Sequence, residues 1–398
     1  MSRSYCYAVL ICFPLLLSGC WDRIELNDMA IVTALAVDQV EENRIRLTTQ
    51  LLVTSGFASG RGQMQGGAGE TGSSTVIRWA EGVNLSDAMS KLQAKLSRKL
   101  FLGHSKVYIF GESAARKGIS SHIDYLMRHP EPRLQGAVYV SRGKAIEALD
   151  SRRDVLERST AEALRELMNL RFELDTTLVD VRNALRSEKT GMVIPCLESG
   201  KTWEKEDPKK ERPYTSGLAV FKKDKMVGIL NAEESRGIIW LVDNVSTSTI
   251  TIKPVEGEEG TISFQLMGSR LRMRPNLSSS KKNMTIKLLM RGSITENTTQ
   301  LDPAKREDLE VIESKLRETV TSDIAKTMKA LQRKWKTDAV GFDKTCHEQE
   351  PDTWEQIKEQ WEQLFSQLDI TYESNVTIVQ PGFITRSAKG AQEDVSAR

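Results

Sequence analysis

Three hydrophobic patterns follow one another along the chain, and they predict different kinds of structure. The first is an apolar run from Tyr5 to Leu17 that ends just before Cys20. From Ala30 to Asp150, short apolar runs typical of strands alternate with apolar residues spaced three or four apart, which is typical of helices. Beyond Asp243 the apolar residues recur at every second position, so this part predicts an antiparallel sheet.

The alternating part predicts an N-terminal α/β domain, residues 20–150, in which helices pack on a small sheet. Asn84 is a favoured helix cap, and Leu85, Met89 and Leu92 follow it at helical spacing. The predicted strands are Ala30–Val37, Arg44–Val53, a run from Thr75, Lys106–Phe110 and Gln135–Val140, and the predicted helices start at Asn84, Ile119 and Lys144. A segment with seven glycines, residues 55–74, interrupts this domain. Loops of this length are functional or disordered, and we favour a disordered loop between two strands.

A middle α+β domain is predicted at residues 151–242. Helical spacing marks Ser159–Phe172 and Leu178–Leu185, and Met192–Leu197 reads as extended. A charged segment with prolines, residues 201–213, is expected to be an exposed connection. Two apolar runs in Thr215–Leu230 flank the sequence KKDK, which predicts a hairpin.

The C-terminal domain is predicted at residues 243–386, followed by a polar tail at 387–398. Its strands form an antiparallel meander, and a long helix that begins at Asp302-Pro303 covers the sheet with one apolar stripe. The stripe consists of Leu309, Ile312, Leu316, Val320, Ile324, Met328, Leu331 and Trp335. The C-terminal domain is completed by a shorter helix from Trp354 to Leu368 and a strand at Ser374–Val379. The predicted fold class is therefore α+β, with three consecutive mixed α/β domains.

The amino-terminal run has the layout of a signal peptide, residues 1–19. It carries one positive charge, Arg3, and no acid, and it is shorter than the roughly 20 apolar residues of a membrane-spanning helix. Leu17-Ser18-Gly19-Cys20 resembles the lipobox of bacterial lipoproteins, which implies cleavage before Cys20 and a diacylglyceryl group on its thiol. Two acyl chains anchor a protein stably, whereas one binds only marginally. The alternative is an ordinary secretory signal whose cleavage site happens to lie beside a cysteine.

The charge pattern argues against a nucleic-acid-binding protein, and the cysteine count bears on whether the protein contains a disulfide. The net charge is +2, and no positive block indicates a nucleic-acid site or a polybasic membrane patch. Of the five cysteines, only Cys196 and Cys346 remain once Cys6 and Cys12 leave with the signal and Cys20 is lipidated. Two separate thiols are favoured over one disulfide.

Catalytic and metal-binding motifs are not found in the sequence. None of the four histidines has a partner at metal-ligand spacing, and there is no nucleophile elbow or phosphate-binding glycine loop. Cys346-His347-Glu348 is one cluster to test as a nucleophile-base pair or a metal corner, but an exposed connecting segment is the favoured interpretation. His104 is expected to be a hydrogen-bonded structural residue. We therefore assign no catalytic, cofactor-binding or metal-binding residue and predict that the protein is not an enzyme.

Two further groups of residues have simple structural interpretations. The paired carboxylates Glu41-Glu42, Glu233-Glu234 and Glu258-Glu259 lie on turn-like chain and read as solvated surface. The tryptophans Trp335, Trp354 and Trp361 recur at helical spacing, where core positions are favoured over interface anchors.

Several motifs together resemble the Ger(x)C family, the lipoprotein C subunits of spore germinant receptors. They begin at the lipobox and include a turn expected at Ala36–Asp38. The matching residues are Cys20–Leu26, Met29–Val32, Ala36–Asp38, Leu102–His104, Lys106–Val107, Gly217–Gly228, Glu234–Trp240, Asp338, Gly341–Phe342, Trp354 and Trp361. The resemblance spans nearly the whole chain after residue 20.

The resemblance implies a non-enzymatic subunit, lipid-anchored on the outer face of the spore's inner membrane. Its partners would be two integral-membrane subunits, A and B, that take part in sensing nutrients. The near-neutral charge gives no support for a nucleic-acid partner, and the resemblance leaves open whether this subunit contacts the nutrient. A solute-binding lipoprotein that delivers a small molecule to a transporter is the alternative, and a surface hydrolase is weakened by the missing motifs.

Overall fold

Two β-sheets with helices packed against them make up the fold. The computed structural model describes residues 28–53, 75–150, 157, 159–170, 174–186, 191–201, 211–241, 248–254, 259–279 and 281–380. The mixed α/β fold predicted from the sequence is confirmed. The signal peptide, the glycine-rich loop and the polar tail lie outside the described residues, so the predictions for them stay predictions.

The first sheet contains nine strands. They are β1 (Met29–Glu41), β2 (Arg44–Leu52), β3 (Thr75–Gly82), β4 (Lys99–Phe101), β5 (Val107–Gly111), β6 (Ala137–Ser141), β7 (Gly191–Lys201), β8 (Glu211–Lys222) and β9 (Lys225–Leu230). The helices are α1 (Leu85–Gln93), α2 (Glu112–Lys117), α3 (Ser120–Arg128), α4 (Ala145–Asp150), α5 (Thr160–Asn169), α6 (Leu178–Arg186) and α7 (Ala232–Leu241). The strands and helices predicted before residue 200 are therefore present, and the side chain of Asn84 caps α1 as expected.

Parallel strands occupy the centre of the first sheet and hairpins its two ends. The order is β3-β2-β1-β5-β6-β7-β8-β9, and β4 pairs with the start of β1. Strands β1, β5, β6 and β7 run parallel, since helices connect β5 to β6 and β6 to β7. Strands from both sides of residue 150 thus share one sheet, and the predicted domain boundaries at 150 and 242 stay a prediction.

Helices cover both faces of the central part of this sheet. Phe110 and Phe221 lie in a core that includes α1, α3 and α6, whereas Ile109 and Tyr139 face α4 and α5 on the opposite side. Such two-sided burial is typical of parallel strands joined by helices. At the far end, one face of β7–β9 joins the core of the second sheet through residues such as Val220.

The second sheet has four strands in the order β10 (Thr249–Ile252), β11 (Ile262–Asn276), β12 (Asn283–Asn297) and β13 (Asp369–Gln380). The first three strands form the predicted antiparallel meander. Strand β13, in contrast, lies parallel to β12, so the sheet is mixed rather than purely antiparallel. The reason is the connection, because β12 reaches β13 through a helical layer and not through a hairpin turn.

That helical layer covers the inner face of the second sheet. It consists of α8 (Arg306–Lys329) with a π-helical turn (Ala330–Trp335), α9 (Phe342–Gln349), α10 (Pro351–Ile357) and α11 (Trp361–Gln367). Six members of the predicted stripe are buried: Ile312, Leu316, Val320, Ile324, Met328 and Leu331. Leu309 and Trp335, at the two ends of the stripe, are half-buried. The predicted helix from Trp354 onward is interrupted by a 3-10 turn at Lys358–Gln360.

Candidate functional site

The predicted lipidation site, Cys20, lies outside the described residues. Most of the other motif residues are described, and they fall into groups at the carboxyl end of β1, the start of β5, the β8–β9 hairpin with α7, and the region around Asp338. Each group can be judged by what its side chains contact.

Asp38 lies within β1 and caps a helix, so the turn predicted at Ala36–Asp38 is wrong. Its two carboxylate oxygens accept hydrogen bonds from the backbone N–H groups of Ala145 (2.6 Å) and Ile146 (3.0 Å), at the start of α4. A Cβ atom at Gly111 would lie 2.1 Å from Asp38 Oδ1, so the carboxylate needs glycine there. Burial raises the pKa of Asp38, while the two N–H donors and the charge of Arg46 oppose that shift. Asp38 therefore links β1 to α4.

The segment before β5 is held by polar contacts to the chain around residue 131. The N–H of Leu102 donates to Glu131 Oε2 (2.8 Å), and Arg133 donates to the carbonyl of Gly103 (2.6 Å). His104 is exposed and meets the Phe101 ring edge-on, with ring centres 6.1 Å apart. Partial burial, together with the charges of Arg133 and Lys106, lowers the pKa of His104. No hydrogen bond joins its side chain to another described residue, so the predicted hydrogen-bonded role is wrong.

The tip of the β8–β9 hairpin docks on the junction of α2 and α3. Lys223 adopts a left-handed conformation (φ 54°) in the turn. Beside it, the carbonyl of Asp224 accepts the N–H of Ile119 (3.0 Å), and Asp224 Oδ2 accepts the hydroxyl of Ser120 (2.7 Å). The predicted hairpin is thus confirmed, and its tip forms a structural contact with the N-terminal helices.

A polar cavity of about 450 Å³ lies beside this contact. Its lining includes carboxylates (Glu42, Asp224), an ammonium group (Lys117) and His122. His122 is buried and stacks on Phe110 with ring centres 6.1 Å apart. Burial, with the nearby charge of Lys117, lowers the pKa of His122 to about 4, so this imidazole is neutral near pH 7. His122 could not be singled out in the sequence beyond its place in a helical pattern.

One half of the molecule is built on the first sheet and the other half on the second sheet. Helices α7 and α8 pack closely where the two halves meet, and we call this contact the sheet junction. A Cβ atom at Gly237 would lie 2.3 Å from Thr327 Oγ1 and 2.5 Å from the carbonyl oxygen of Asp323. The Thr327 hydroxyl donates to the carbonyl of Glu234 (2.5 Å). The motif Glu234–Trp240 therefore serves close helix packing, because only glycine at position 237 lets the two backbones approach this far.

Charged groups rim the sheet junction. Lys326 on α8 forms an ion pair with Glu233 on α7 (2.5 Å). Glu233 is exposed there, as predicted for this carboxylate pair. Glu234 instead accepts the backbone N–H of Asn231 (3.1 Å), while Asn231 Oδ1 accepts the N–H of Glu234 (2.8 Å). These reciprocal bonds form a capping box at the start of α7.

Asp338 is the most heavily hydrogen-bonded carboxylate that the described part of the chain shows. Its Oδ1 accepts the N–H groups of Val340, Gly341 and Phe342 at 3.1–3.2 Å, and its Oδ2 accepts those of Asp343 (2.7 Å) and the Trp361 indole (3.1 Å). Burial raises the pKa of Asp338, and the N–H donors oppose that shift. Asp338 therefore fixes the start of α9 and ties it to α11.

The other predicted core positions near Asp338 can now be judged. Trp354 and Trp361 are buried and meet edge-to-face, with ring centres 5.2 Å apart. The expected exposed connection at Cys346-His347-Glu348 is wrong, because these residues lie on α9 and Cys346 is buried. Burial and the charge of Asp338 raise the pKa of the Cys346 thiol. Its position four residues after Phe342 gives it the core face of a helix too short to stand out in the sequence.

Cys196 is the other buried thiol. Burial raises its pKa to about 11, and neither it nor Cys346 forms a disulfide, as the sequence favoured. In the described ranges, no three His, Cys, Asp or Glu side chains are placed so that they could hold a metal ion. None of the helices described is both long and apolar enough to cross a membrane.

The outer face of the second sheet carries a group of cations that sequence reasoning missed. We call it the basic face: Arg270, Arg272 and Arg274 on β11 with Lys287 and Arg291 on β12. All five residues are exposed. In the sequence they alternate with apolar residues and form no block, but side chains two apart on a strand share one face. Period-two spacing of arginine was the signal that could have found them.

Comparison with known proteins gives a consistent result over almost the whole chain. The family described as "Spore germination protein N-terminal domain" matches residues 22–199, and "Spore germination B3/ GerAC like, C-terminal" matches residues 216–382. YfkR of Bacillus subtilis (strain 168), a provisionally named spore germination protein, is 31% identical over 95% of this chain and 96% of its own. Spore germination protein B3 of the same organism is 22% identical over 95% and 98% of the two chains.

A solved structure supports the fold. The crystal structure of the GerBC protein matches with a TM-score of 0.57 and 19% sequence identity, over 87% of this chain and 97% of that one. At this identity the likeness concerns the arrangement of strands and helices.

Proposed function

Since this chain belongs to the GerAC-like spore germination family, we propose that it is a lipid-anchored subunit of a spore germinant receptor. The observation that carries the proposal is the pair of family matches, which follow one another along the chain. Relatives that align over almost their whole length are spore germination proteins as well. A role in spore germination rests directly on those relatives. Anchoring and receptor assembly are the further steps that we propose.

The anchor is the lipid on Cys20. The sequence Leu17-Ser18-Gly19-Cys20 supports it, because a diacylglyceryl group supplies two acyl chains, enough for stable attachment. After cleavage the chain would lie on the outer face of the spore's inner membrane. Between Cys20 and the start of β1 at Met29 there are eight residues, which reach at most roughly 30 Å when extended. The folded part would therefore stay close to the bilayer.

The subunit would act through contacts with the integral-membrane A and B subunits and not through catalysis. The buried carboxylates of the shared motifs support this view. Asp38 and Asp338 both accept backbone N–H groups at the start of helices, so their oxygens are used to hold the fold. The motif residues of the sheet junction likewise pack helices together.

Germination of spores that carry Cys20→Ala tests the proposal. We expect the protein to leave the membrane fraction, and nutrient-triggered germination to slow, since the receptor would lack an anchored subunit. Cys12→Ala is the matched control, because it removes a leader cysteine outside the lipobox and should change neither property. Normal germination by Cys20→Ala spores with the protein released would contradict the proposal.

One observation favours the alternative of a solute-binding lipoprotein, namely the polar cavity beside His122. Calorimetric titration of the protein with amino acids, sugars and nucleosides separates the two functions. A saturable signal that Ser121→Leu, in the cavity lining, abolishes would favour solute capture. If every compound gives only its heat of dilution, no binding has occurred, and receptor assembly remains the proposed function.

A further inference from the structure

The basic face concentrates positive charge that the rest of the described chain does not balance. Lys287 has a counter-ion, Glu373, at 3.5 Å. None of the four arginines, Arg270, Arg272, Arg274 and Arg291, forms an ion pair with another described residue. The whole chain has a net charge of only +2, so this cluster is a local feature and not a general excess of cations.

The strand register places some of these charges in opposition. Arg272 on β11 lies directly opposite Lys287 on β12. Like charges in directly opposed positions destabilise a sheet. An anionic partner would relieve this repulsion, which Glu373 offsets only on the side of Lys287.

The need to keep the unpaired edge of β11 from associating with other strands explains only some cations of the basic face. The segment of β11 that carries Arg270–Arg274 extends beyond its pairing with β10, and charged residues on such edges prevent association with other strands. Lys287 and Arg291, however, lie on β12, which is hydrogen-bonded to a strand on each side. Edge protection gives no reason for cations on this interior strand.

We propose that the basic face binds the anionic headgroups of the membrane to which the chain is tethered. This inference rests on the proposed lipid anchor, which would keep the face near a bilayer. Side chains on a sheet face stand roughly 7 Å apart along a strand and about 5 Å apart between strands, so they form a flat array of separate cations. Guanidinium groups pair with phosphate oxygens in a bidentate manner, and juxtamembrane cations are attracted by anionic lipid.

A fluorescent probe on the full-length, lipidated protein in lipid nanodiscs tests the proposal. Met267 lies at a bulge between Leu266 and Gly268, is 53% exposed and adjoins the basic face. Met267→Cys gives a labelling site, since Cys196 and Cys346 are buried. The probe is quenched by headgroup-labelled lipid when the face lies on the bilayer.

We expect several-fold more quenching in discs that contain phosphatidylglycerol than in discs of phosphatidylcholine alone. Raising the salt from about 0.1 M to about 1 M should remove the difference, because the Debye length falls from about 10 Å to about 3 Å. Replacing Arg270, Arg272 and Arg274 by Gln should remove it as well. The matched control replaces three exposed cations of the first half, Arg116, Arg128 and Lys144, by Gln and should keep the quenching.

Equal quenching in the two kinds of disc would overturn the proposal, as would the same loss in the control variant. Quenching that appears only when the integral-membrane subunits are added would also overturn it, since the face would then bind protein. Failure of the proposed anchor is seen separately, because a chain without lipid would not be recovered with discs of phosphatidylcholine alone. Circular dichroism of each variant confirms that it is folded.

Discussion

The two sheets differ in how their faces are used. The centre of the first sheet has helices on both faces, and its strands are buried along almost their whole length. The second sheet packs one face against α8 and exposes the other, where the basic face lies. Connections explain the difference, because parallel strands need helical crossovers whereas hairpins leave one face open.

The comparison separates buried motif residues, which hold the fold together, from the exposed cations on the outer face of the second sheet. Motif residues such as Asp38 hold the first half together through buried backbone contacts. Gly237 and Asp338 do the same for the sheet junction and the helical layer, so their substitution should act on stability. The exposed cations of the second sheet, in contrast, should matter for binding and hardly for folding.

The largest effect is expected for Asp338→Ala. The substitution leaves several buried N–H groups without an acceptor, at about 1–3 kcal/mol for each group that water cannot reach. We expect a loss of about 3–5 kcal/mol in the free energy of unfolding, measured by urea denaturation with tryptophan fluorescence. Asp369→Ala removes an exposed carboxylate paired with Lys281 and is the control. Similar midpoints for the two variants would show that Asp338 does not hold the helical layer.

Acid should weaken the first half through His122. Its pKa falls from an ordinary 6.5 to about 4 on folding, so the unfolded chain binds the proton more readily between these values. The contribution of neutral His122 to the free energy of unfolding is complete above about pH 6.5 and is lost as the pH falls toward 4. In total it amounts to up to about 3 kcal/mol.

Comparison with His122→Gln isolates this contribution from the titration of other groups. The difference in unfolding free energy between the two proteins should shrink as the pH is lowered from 7 to 4. A difference that stays constant over this range would show that His122 titrates normally in the folded protein.

Gly237→Ala tests the sheet junction. The added methyl group meets Thr327 and the backbone of Asp323, and overpacking of this kind costs about 1–3 kcal/mol. Gly268→Ala is the matched control, since the atom nearest its new Cβ would be Arg291 Nε at 3.5 Å, an ordinary contact. If thermal unfolding of the two variants coincides, the halves are not held by close packing of α7 on α8.

The smallest effect is expected for Arg272→Gln, and its sign is opposite. Removing the charge opposite Lys287 should stabilise the protein by about 0.2–1 kcal/mol. The same change at Arg306, which is exposed on α8 and paired with Glu310, serves as the control and should not stabilise. A lower melting temperature for Arg272→Gln would mean that the basic face supports the fold.

Much of the fold could be predicted because its elements have regular periods. The stripe on α8, the hairpin at Thr215–Leu230 and the cap at Asn84 all depend on neighbours in sequence. The parallel pairing of β13 with β12 could not be predicted, since it depends on where a long helix returns the chain.

The site was harder to predict for a related reason. Asp38 contacts the start of α4, and Asp338 contacts the Trp361 indole, so both reach segments that only folding brings close. The other bonds of Asp338 are local, but α9 is too short for a clear periodic pattern. The basic face depends on which residues share one side of a sheet, and that was visible in the arginine spacing once the strand was assigned.

Mass spectrometry of the amino-terminal peptide of the protein isolated from spore membranes tests the lipid anchor most directly. We expect the mature chain to begin at Cys20 with a diacylglyceryl group on its sulfur, because Leu17-Ser18-Gly19-Cys20 resembles a lipobox, a motif that directs both lipidation and cleavage. A mature chain that begins elsewhere, or one that carries Cys20 as a free thiol, would contradict the anchor. It would also remove the basis for placing the basic face against the membrane.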